Sequence, residues 1–334
     1  MLRVGIVGVG TMGSLHAAAW AATPATIGGF FALDQPRAEL LAQVHGAKAF
    51  WGYEELLENV DVVDICTPTY LHHHMAIHAA QSGKHVICEK PLALSVTNAQ
   101  AMIDACAAGG VKLLVGHVVR FFPEYALAKA TVDRGDIGRV AVTRLKRVNF
   151  QPTRSTGNWF LDPEKSGGMI VDLMIHDFDY ARWLNGDVES VFARSVRTQD
   201  PNAAGDYCLA MLTHRSGALT HVEGGWAYPP PTFLTALEIA GEHGLIEHPV
   251  GSSMSVKAQW MPTEGGEVPD VGVISYPADE SPYTTEIKHF YELLTGALDT
   301  PRVTAEDGLE ALRIALAVEQ SARSGRPVRV EEVL

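Results

Sequence analysis

A glycine-rich turn near the start of the chain constrains its fold more than any other feature. An apolar run over residues 2–7 leads into the turn, and a helix-forming stretch over residues 14–22 follows it. The turn contains Gly8, Gly10, Thr11, Met12 and Gly13. In dinucleotide-binding folds the three glycines allow a tight turn, a close approach of backbone to pyrophosphate and close packing of helix on strand. The sequence therefore predicts a dinucleotide whose phosphates lie at the helix N-terminus.

An acidic residue lies at the distance where such a fold binds the ribose. Asp34 stands 21 residues after Gly13, at the end of a second apolar run. A carboxylate there accepts hydrogen bonds from ribose hydroxyls and repels the additional phosphate of NADP. Asp34 is equally suited to cap a helix that has Pro36 in its first turn, and the two roles are compatible. The sequence favours NAD over NADP, although Arg37 beside Asp34 would attract a phosphate.

The order of the remaining elements predicts two domains. Short apolar strands alternate with helical stretches over residues 1–118. This pattern predicts an α/β Rossmann domain with a parallel, doubly wound sheet. Successive strands from residue 140 onward predict that residues 119–334 form an α+β domain, with a mostly antiparallel open sheet and helices on one face.

The charge of the chain restricts its partners. Asp and Glu number 39 against 26 Lys and Arg, a formal charge of -13 that repels nucleic acid and anionic membranes. No targeting segment and no apolar run of the ~20 residues that span a membrane is found. The four cysteines are scattered and include no CxxC pair. These features predict a cytoplasmic protein with a small neutral substrate.

Polar residues follow two strands of the predicted parallel sheet. Thr67 and Pro68 follow one strand, and Glu89, Lys90 and Pro91 follow the next. Because ligands bind beyond the carboxyl ends of parallel strands, these residues are predicted to line the cofactor site. A surface pair of Lys90 with Glu89 is the alternative, but Pro91 fixes the local backbone and favours a site.

A second candidate site lies in an apolar segment over residues 167–184. Its pattern predicts a buried helix, in which ionisable side chains are costly unless they are paired or used. Asp172, His176 and Asp179 have the spacing of one helical face, whereas Asp177 points elsewhere and is expected to be exposed. His176 is predicted to be a general base, since imidazole titrates near pH ~6.5, with Asp172 orienting it or holding a neighbouring substrate hydroxyl. A polar network that only anchors the helix is the alternative.

Several motifs together resemble one known family. They are Thr67-Pro68-Thr69-Tyr70-Leu71-His72, Gly83-Lys84-His85-Val86, Glu89-Lys90-Pro91 and Ser324-Gly325-Arg326-Pro327-Val328. With the glycine turn, they resemble the Gfo/Idh/MocA oxidoreductases, the family of glucose-fructose oxidoreductase and inositol dehydrogenase. The resemblance implies that Lys90 reaches the reacting oxygen of the substrate. An ammonium there would stabilise the alkoxide that develops as hydride leaves the carbon.

The apolar segment also resembles this family. Asp172, His176 and Asp179 match the spacing of its catalytic helix, and residues 175–179 look like the inositol dehydrogenase branch. Many members of the family carry glycine where Met174 stands, which is a further pointer to that branch.

The resemblance implies additional contacts. His72 is expected at the nicotinamide end of the cofactor, and the loops at 151–158 and 228–233 are expected to decide substrate identity. Besides Asp172 and His176, five residues are predicted to contact the substrate, or in the case of Arg120 the substrate or the cofactor: Arg120, Asn158, Trp159, Tyr228 and Tyr283. An interdomain ion pair explains Arg120 equally well, and aromatic core packing explains the aromatic residues nearly as well.

No metal is predicted. His74 and His78 lie four residues apart on a predicted helix, but no HExxH pattern, cysteine pair or nearby acidic ligand completes a site.

The sequence thus predicts an NAD-dependent oxidoreductase that moves a hydride between nicotinamide and a hydroxyl carbon of a sugar or cyclitol. A glycosidase that oxidises its sugar transiently with bound NAD, and a non-catalytic NAD-sensing regulator, are the alternatives. The resemblance also implies a homodimer or homotetramer formed through the sheet of the second domain.

Overall fold

A computed structural model describes four stretches of the chain, residues 1–153, 158–196, 206–248 and 280–334. The chain forms two compact units. The first contains Met1–Phe122 and Tyr276–Leu309, and the second contains Pro123–Ser275 and Glu310–Leu334. Within the described stretches, no helix combines the length and apolarity needed to cross a membrane.

The first unit is built on a six-stranded parallel sheet. Its strands are β1 (Arg3–Val7), β2 (Thr26–Phe31), β3 (Lys48–Phe50), β4 (Val62–Ile65), β5 (His85–Glu89) and β6 (Leu113–Gly116). The helices among them are α1 (Thr11–Trp20), α2 (Gln35–His45), α3 (Tyr53–Asn59), α4 (Thr69–Gln81) and α5 (Val96–Ala108), and a 3-10 helix (Val118–Phe121) follows β6. The strand order β3-β2-β1-β4-β5-β6 is that of a dinucleotide-binding fold, so the predicted Rossmann architecture is confirmed.

The central strands of this sheet are apolar because helices cover both faces. Val4, Val63 and Val86 have no exposed surface, as expected for strands of a parallel sheet. Asp64 interrupts the apolar run of β4, and its side chain is fully buried too. A charge in that position needs a partner, which the candidate site supplies.

The second unit contains a seven-stranded mixed sheet. Its strands are β7 (Val140–Asn149), β8 (Val188–Val196), β9 (Asp206–His214), β10 (Leu219–Trp226), β11 (Phe233–Gly241), β12 (Leu245–His248) and β13 (Val328–Arg329). The remaining helices of the described stretches are α6 (Pro123–Asp133), α7 (Pro163–Ser166), α8 (Gly168–Asp172), α9 (Ile175–Asn185), α10 (Pro282–Thr295) and α11 (Ala305–Ser324), with 3-10 helices at Trp159–Leu161 and Val330–Glu332. In the order β12-β11-β7-β10-β9-β8-β13, β7 and β10 are parallel and the other pairs are antiparallel. The predicted, mostly antiparallel sheet is therefore confirmed.

Helix α9 packs on one face of this sheet. The side-chain amide of Asn185 at its end donates to the hydroxyl of Thr143 on β7, at 3.0 Å. Successive strand residues point to opposite faces, so Lys146 lies on the other face. Leu209 and Met211 on β9 are large apolar residues that stay exposed. Subunit pairing through the sheet stays a prediction.

Helix α10 belongs to the first unit, although its residues were predicted to lie in the second domain. Ile287, Phe290 and Leu293 recur at helical spacing, and they are buried in the same apolar core as Val4 and Trp20. The observed units therefore differ from the predicted division at residues 118 and 119. An amphipathic helix shows in its sequence that it covers an apolar surface, but not which one.

A glycine on β10 accommodates the methionine that departs from the resembled family. A Cβ on Gly224 would lie 2.3 Å from Cγ of Met174. We expect Gly224→Ala to lower the free energy of unfolding by about 1–3 kcal/mol, as overpacking typically does. In a Met174→Ala background the same substitution is expected to cost much less. Urea unfolding of the four proteins measures both penalties, and equal penalties would contradict this packing.

Candidate active site

The glycine turn lies between β1 and α1, as predicted. Gly8 has a φ of +95°, in the region that side chains other than glycine rarely adopt. A Cβ on Gly13 would lie 1.9 Å from the carbonyl oxygen of Gly8, so α1 packs directly on the turn. Gly10 precedes α1, which begins with Thr11 and Met12. Backbone N–H groups in the first turn of a helix have no acceptor within the helix, so they suit the predicted phosphate contact.

Asp34 lies three residues after the end of β2 and caps α2. Its Oδ1 accepts a hydrogen bond from the backbone N–H of Arg37 at 3.2 Å, and Pro36 lies in the first turn. Both Asp34 and Arg37 are exposed. The capping role is therefore present, and the predicted ribose contact remains compatible with it.

Strands β4 and β5 are neighbours in the sheet, so the residues that follow them meet at one edge. Thr67 and Pro68 follow β4, and Lys90 follows β5 directly. The hydroxyl of Thr67 is buried without a hydrogen-bond partner among the described residues. Buried hydroxyls normally have partners, so this oxygen fits a polar group of a bound dinucleotide.

His72 connects the two turns at this edge. Its Nδ1 lies 2.8 Å from the carbonyl oxygen of Pro91, and its Nε2 lies 2.9 Å from that of Thr67. Burial lowers the pKa of His72, and the two carbonyls oppose that shift without cancelling it. Both ring nitrogens face backbone carbonyls, so His72 connects the two turns, and its contact with the cofactor stays a prediction.

A buried network adjoins the turn that carries Lys90. His16 on α1 lies between two carboxylates: Nδ1 is 3.0 Å from Oδ2 of Asp64, and Nε2 is 3.1 Å from Oε1 of Glu89. Trp20 donates its indole N–H to Oδ2 of Asp64 at 2.8 Å. Oε2 of Glu89 accepts the backbone N–H of Lys90 at 3.1 Å. Contacts therefore run without interruption from Asp64 to the backbone of Lys90.

The surroundings of His16 favour its protonated form. Burial alone would lower the pKa of His16, but the charge of Asp64 and the hydrogen bonds to Asp64 and Cys66 raise it well above its usual value. The contact between Nε2 and Glu89 lacks the alignment of a hydrogen bond, so it is an attraction between charges. An imidazolium between two buried carboxylates offsets part of their mutual repulsion.

One cluster within the described stretches consists of residue types that can bind a metal. It contains His16, Asp64 and Cys66, whose possible ligand atoms all lie within 4.8 Å of one another. It does not involve His74 or His78. Burial raises the pKa of the Cys66 thiol, and a protonated thiol is a poor metal ligand.

Sequence analysis missed His16 and Asp64. The available signal was a carboxylate in the middle of an apolar strand, which is costly to bury without a partner. Nothing in the sequence identified that partner, because His16 lies on a helix 48 residues away along the chain.

Asp172 and His176 lie on two short helices and not on the single helix that was predicted. Asp172 ends α8, and His176 is the second residue of α9. Between them the N–H of Met174 contacts the carbonyl of Met169, five residues back, at 3.3 Å, which interrupts the regular pattern. Asp172 and Asp179 are buried, and His176 is partly exposed. His176 and Asp179 share a face of α9.

Asp177 was expected to be exposed, and this was wrong. Its side chain is 0% exposed and pairs with Arg147 on β7, at 2.8 Å from Nε to Oδ2. A second nitrogen of the guanidinium, Nη2, donates to Oδ1 of Asp177 at 3.3 Å. The face of α9 that turns away from His176 is therefore held to the sheet by a buried ion pair.

Arg120 is buried in contacts within the first unit. Its guanidinium lies 3.1 Å from Oδ2 of Asp307 and donates to the carbonyl of Arg302 at 2.8 Å. Asp307 also accepts the backbone N–H of Thr304 at the start of α11. An ion pair was the alternative to substrate binding, and the structure shows that pair inside one unit, not between two domains.

The other predicted substrate residues each have their own contacts within the described stretches. They are Asn158, Trp159, Tyr228 and Tyr283. Trp159 stacks on the neighbouring phenylalanine, with ring centroids 4.0 Å apart. The hydroxyl of Tyr228 is 3.3 Å from Nζ of Lys146, and Tyr283 lies in the first turn of α10. Residues 154–157 of the predicted specificity loop lie outside the described stretches. Substrate contact by these residues stays a prediction.

Comparison with known proteins identifies the family. Residues 2–117 match the GFO_IDH_MocA oxidoreductase family, NAD-binding Rossmann fold, and residues 125–247 match the GFO/IDH/MocA C-terminal domain. Myo-inositol 2-dehydrogenase of Thermotoga maritima is 29% identical over 100% of both chains. The NAD-dependent scyllo-inositol 2-dehydrogenase of Bacillus subtilis is 30% identical over 99% of this chain and 96% of its own.

A solved structure of levoglucosan dehydrogenase in complex with NADH and levoglucosan has the same fold. It matches 99% of this chain and 100% of its own, with a TM-score of 0.83 and 25% identity. The glycine turn, the sheet order and these matches agree, and the chain belongs to the Gfo/Idh/MocA family of NAD-binding oxidoreductases.

Proposed function

We propose that this protein is an NAD-dependent dehydrogenase that transfers a hydride between the nicotinamide and a hydroxyl carbon of a cyclitol or sugar. The observation that carries the proposal is the position of Lys90. It directly follows β5, at the carboxyl edge of a sheet whose first turn has the glycine geometry of a dinucleotide site. Ligands of such sheets bind at this edge.

The residues of this chain supply the remaining chemistry. NAD, when bound, accepts the hydride that leaves the hydroxyl carbon. The ammonium of Lys90 donates to the substrate oxygen and stabilises the negative charge that develops on it. His176 takes the hydroxyl proton as the carbonyl bond forms, a role that suits an imidazole at neutral pH. Asp172 orients His176.

Two observations favour a neutral polyol as the substrate. Two of the similar proteins are named for inositols, and the levoglucosan enzyme is named for an anhydrosugar. The formal charge of -13 also disfavours anionic substrates at long range.

A substrate panel tests the proposal. Purified protein is mixed with NAD or NADP and with myo-inositol, scyllo-inositol, levoglucosan, glucose or glucuronate, and absorbance at 340 nm is followed. We expect NADH from at least one neutral polyol, and a lower rate with NADP. Binding of NAD without NADH from any compound would reject the dehydrogenase. Cleavage of a nitrophenyl glycoside without net NADH would indicate the glycosidase, and binding alone would indicate the sensor.

A further inference from the structure

We propose that His16 is a positioning residue for Lys90: it holds the Glu89 carboxylate against the Lys90 backbone and so fixes the turn that presents the lysine. This inference rests on the proposed function, because it assigns His16 a role in the chemistry of Lys90. His16 itself is fully buried on α1. Its proposed role is therefore to hold Glu89, without touching substrate or cofactor.

The geometry gives each oxygen of Glu89 a separate task. Oε1 lies 3.1 Å from Nε2 of His16, and Oε2 accepts the backbone N–H of Lys90 at 3.1 Å. Strand β6 also packs against this carboxyl group, since a Cβ on Gly116 would lie 3.3 Å from Cδ of Glu89. The carboxylate is therefore confined between a cation, a backbone and a neighbouring strand.

The charges explain why a cation belongs there. Asp64 and Glu89 are both buried, and an unpaired buried carboxylate takes up a proton instead of staying charged. His16 contacts both carboxylates, and Trp20 adds a hydrogen bond that anchors Asp64. Removal of the imidazolium leaves Glu89 without its counter-ion and frees it to release the N–H of Lys90.

The position of Lys90 matters because its proposed action depends on distance. A misplacement of about 1 Å in a reacting group costs ~100-fold in rate. A backbone hydrogen bond at the residue itself limits such movement. The effect of His16 should therefore appear in the chemical step and not in the binding of NAD.

Two nearly isosteric substitutions separate the contacts of His16. In His16→Gln the side-chain amide reaches the position of Nε2, so a polar N–H group stays beside Glu89 and can donate a hydrogen bond to it in place of the charge contact. In His16→Asn the side-chain amide takes the position of Nδ1. It keeps the contact with Asp64 and loses the contact between residue 16 and Glu89. Both variants remove the charge. We expect kcat to fall ~10-fold in His16→Gln and ~100-fold in His16→Asn, with the Kd for NAD within ~3-fold of the unsubstituted protein.

A second measurement needs neither cofactor nor substrate. Reductive methylation with ¹³C-formaldehyde labels the lysines, and the resonance of Lys90 is assigned by its absence in Lys90→Met. We expect that resonance to shift in His16→Asn and to shift less in His16→Gln. His85→Gln is the matched control: His85 begins the same strand at its other end and accepts the N–H of Lys112 at 3.0 Å. It should leave the resonance and kcat unchanged.

The outcomes are distinct. If His16→Asn and His16→Gln have equal kcat, or if neither moves the Lys90 resonance, the inference is wrong. If His16→Asn does not fold, Glu89→Gln tests the same contact from its other end and should lower kcat with a shifted resonance. An active Lys90→Met protein would instead overturn the proposed function. An inactive Lys90→Met protein beside fully active His16 variants overturns the positioning role alone.

Discussion

Lys90→Met is expected to lower kcat by about 100- to 1000-fold while the protein still binds NAD. Methionine keeps an unbranched side chain and removes only the ammonium. Because charge develops on the substrate oxygen in the transition state, kcat and kcat/KM should fall together. Steady-state rates at 340 nm, with NAD binding followed by tryptophan fluorescence, measure the two effects separately.

Lys84→Met provides the control for this substitution. Lys84 immediately precedes β5, so it lies at the amino end of the strand that Lys90 follows. Its replacement should leave both rate and binding as they are. A Lys90→Met protein with the kcat of the parent would show that the lysine has no part in the chemistry.

Gly13→Ala is expected to abolish measurable NAD binding. The new Cβ would lie 1.9 Å from the carbonyl oxygen of Gly8, and this atom belongs to the backbone of the turn itself. Relief of the clash moves α1 away from β1 and carries the N–H groups of Thr11 and Met12 away from the phosphates. We also expect the free energy of unfolding to fall by about 3 kcal/mol, at the upper end of overpacking penalties. Calorimetric titration with NAD and urea unfolding measure both.

The control for this prediction is Gly52→Ala. No atom lies within 4 Å of the position of its Cβ, and Gly52 has an extended backbone before α3. The loss of a glycine N-cap costs up to about 1 kcal/mol of stability, but it leaves the glycine turn between β1 and α1 unaltered, so NAD binding should not change. If Gly13→Ala bound NAD with normal affinity, the turn would not hold the phosphates.

Local patterns carried most of the fold prediction. Apolar strands that alternate with helices specify a parallel sheet, because each helix returns the chain to the same edge, and every pair of adjacent strands here except β1 with β4 is consecutive in sequence. Helix α10 was assigned to the wrong unit, because the residues it packs against, Val4 and Trp20, lie more than 260 residues earlier in the chain. The sequence showed that α10 has an apolar face, but it did not show which apolar surface that face covers.

Site residues could be predicted from the sequence where their role follows from a position in a turn or at the end of a strand. Gly13 and Lys90 follow from the turn and the strand end. Side-chain pairing could not be read from spacing: His72 faces two carbonyls, and Asp177 is buried against Arg147. Each partner comes from another element, so tertiary packing decides whether a polar residue meets ligand, solvent or protein.

The interrupted path of the first unit has a consequence for its synthesis. A ribosome synthesises all six strands of the parallel sheet before it makes residues 123–275, and only afterwards does it make α10. Until then the sites of Ile287 and Phe290 against Trp20 are open, and exposed apolar surface on a nascent chain promotes aggregation and chaperone binding. No single proteolytic cut can separate the two units intact. Cleavage after Phe122 would leave the nucleotide-binding half without the helix that completes its core.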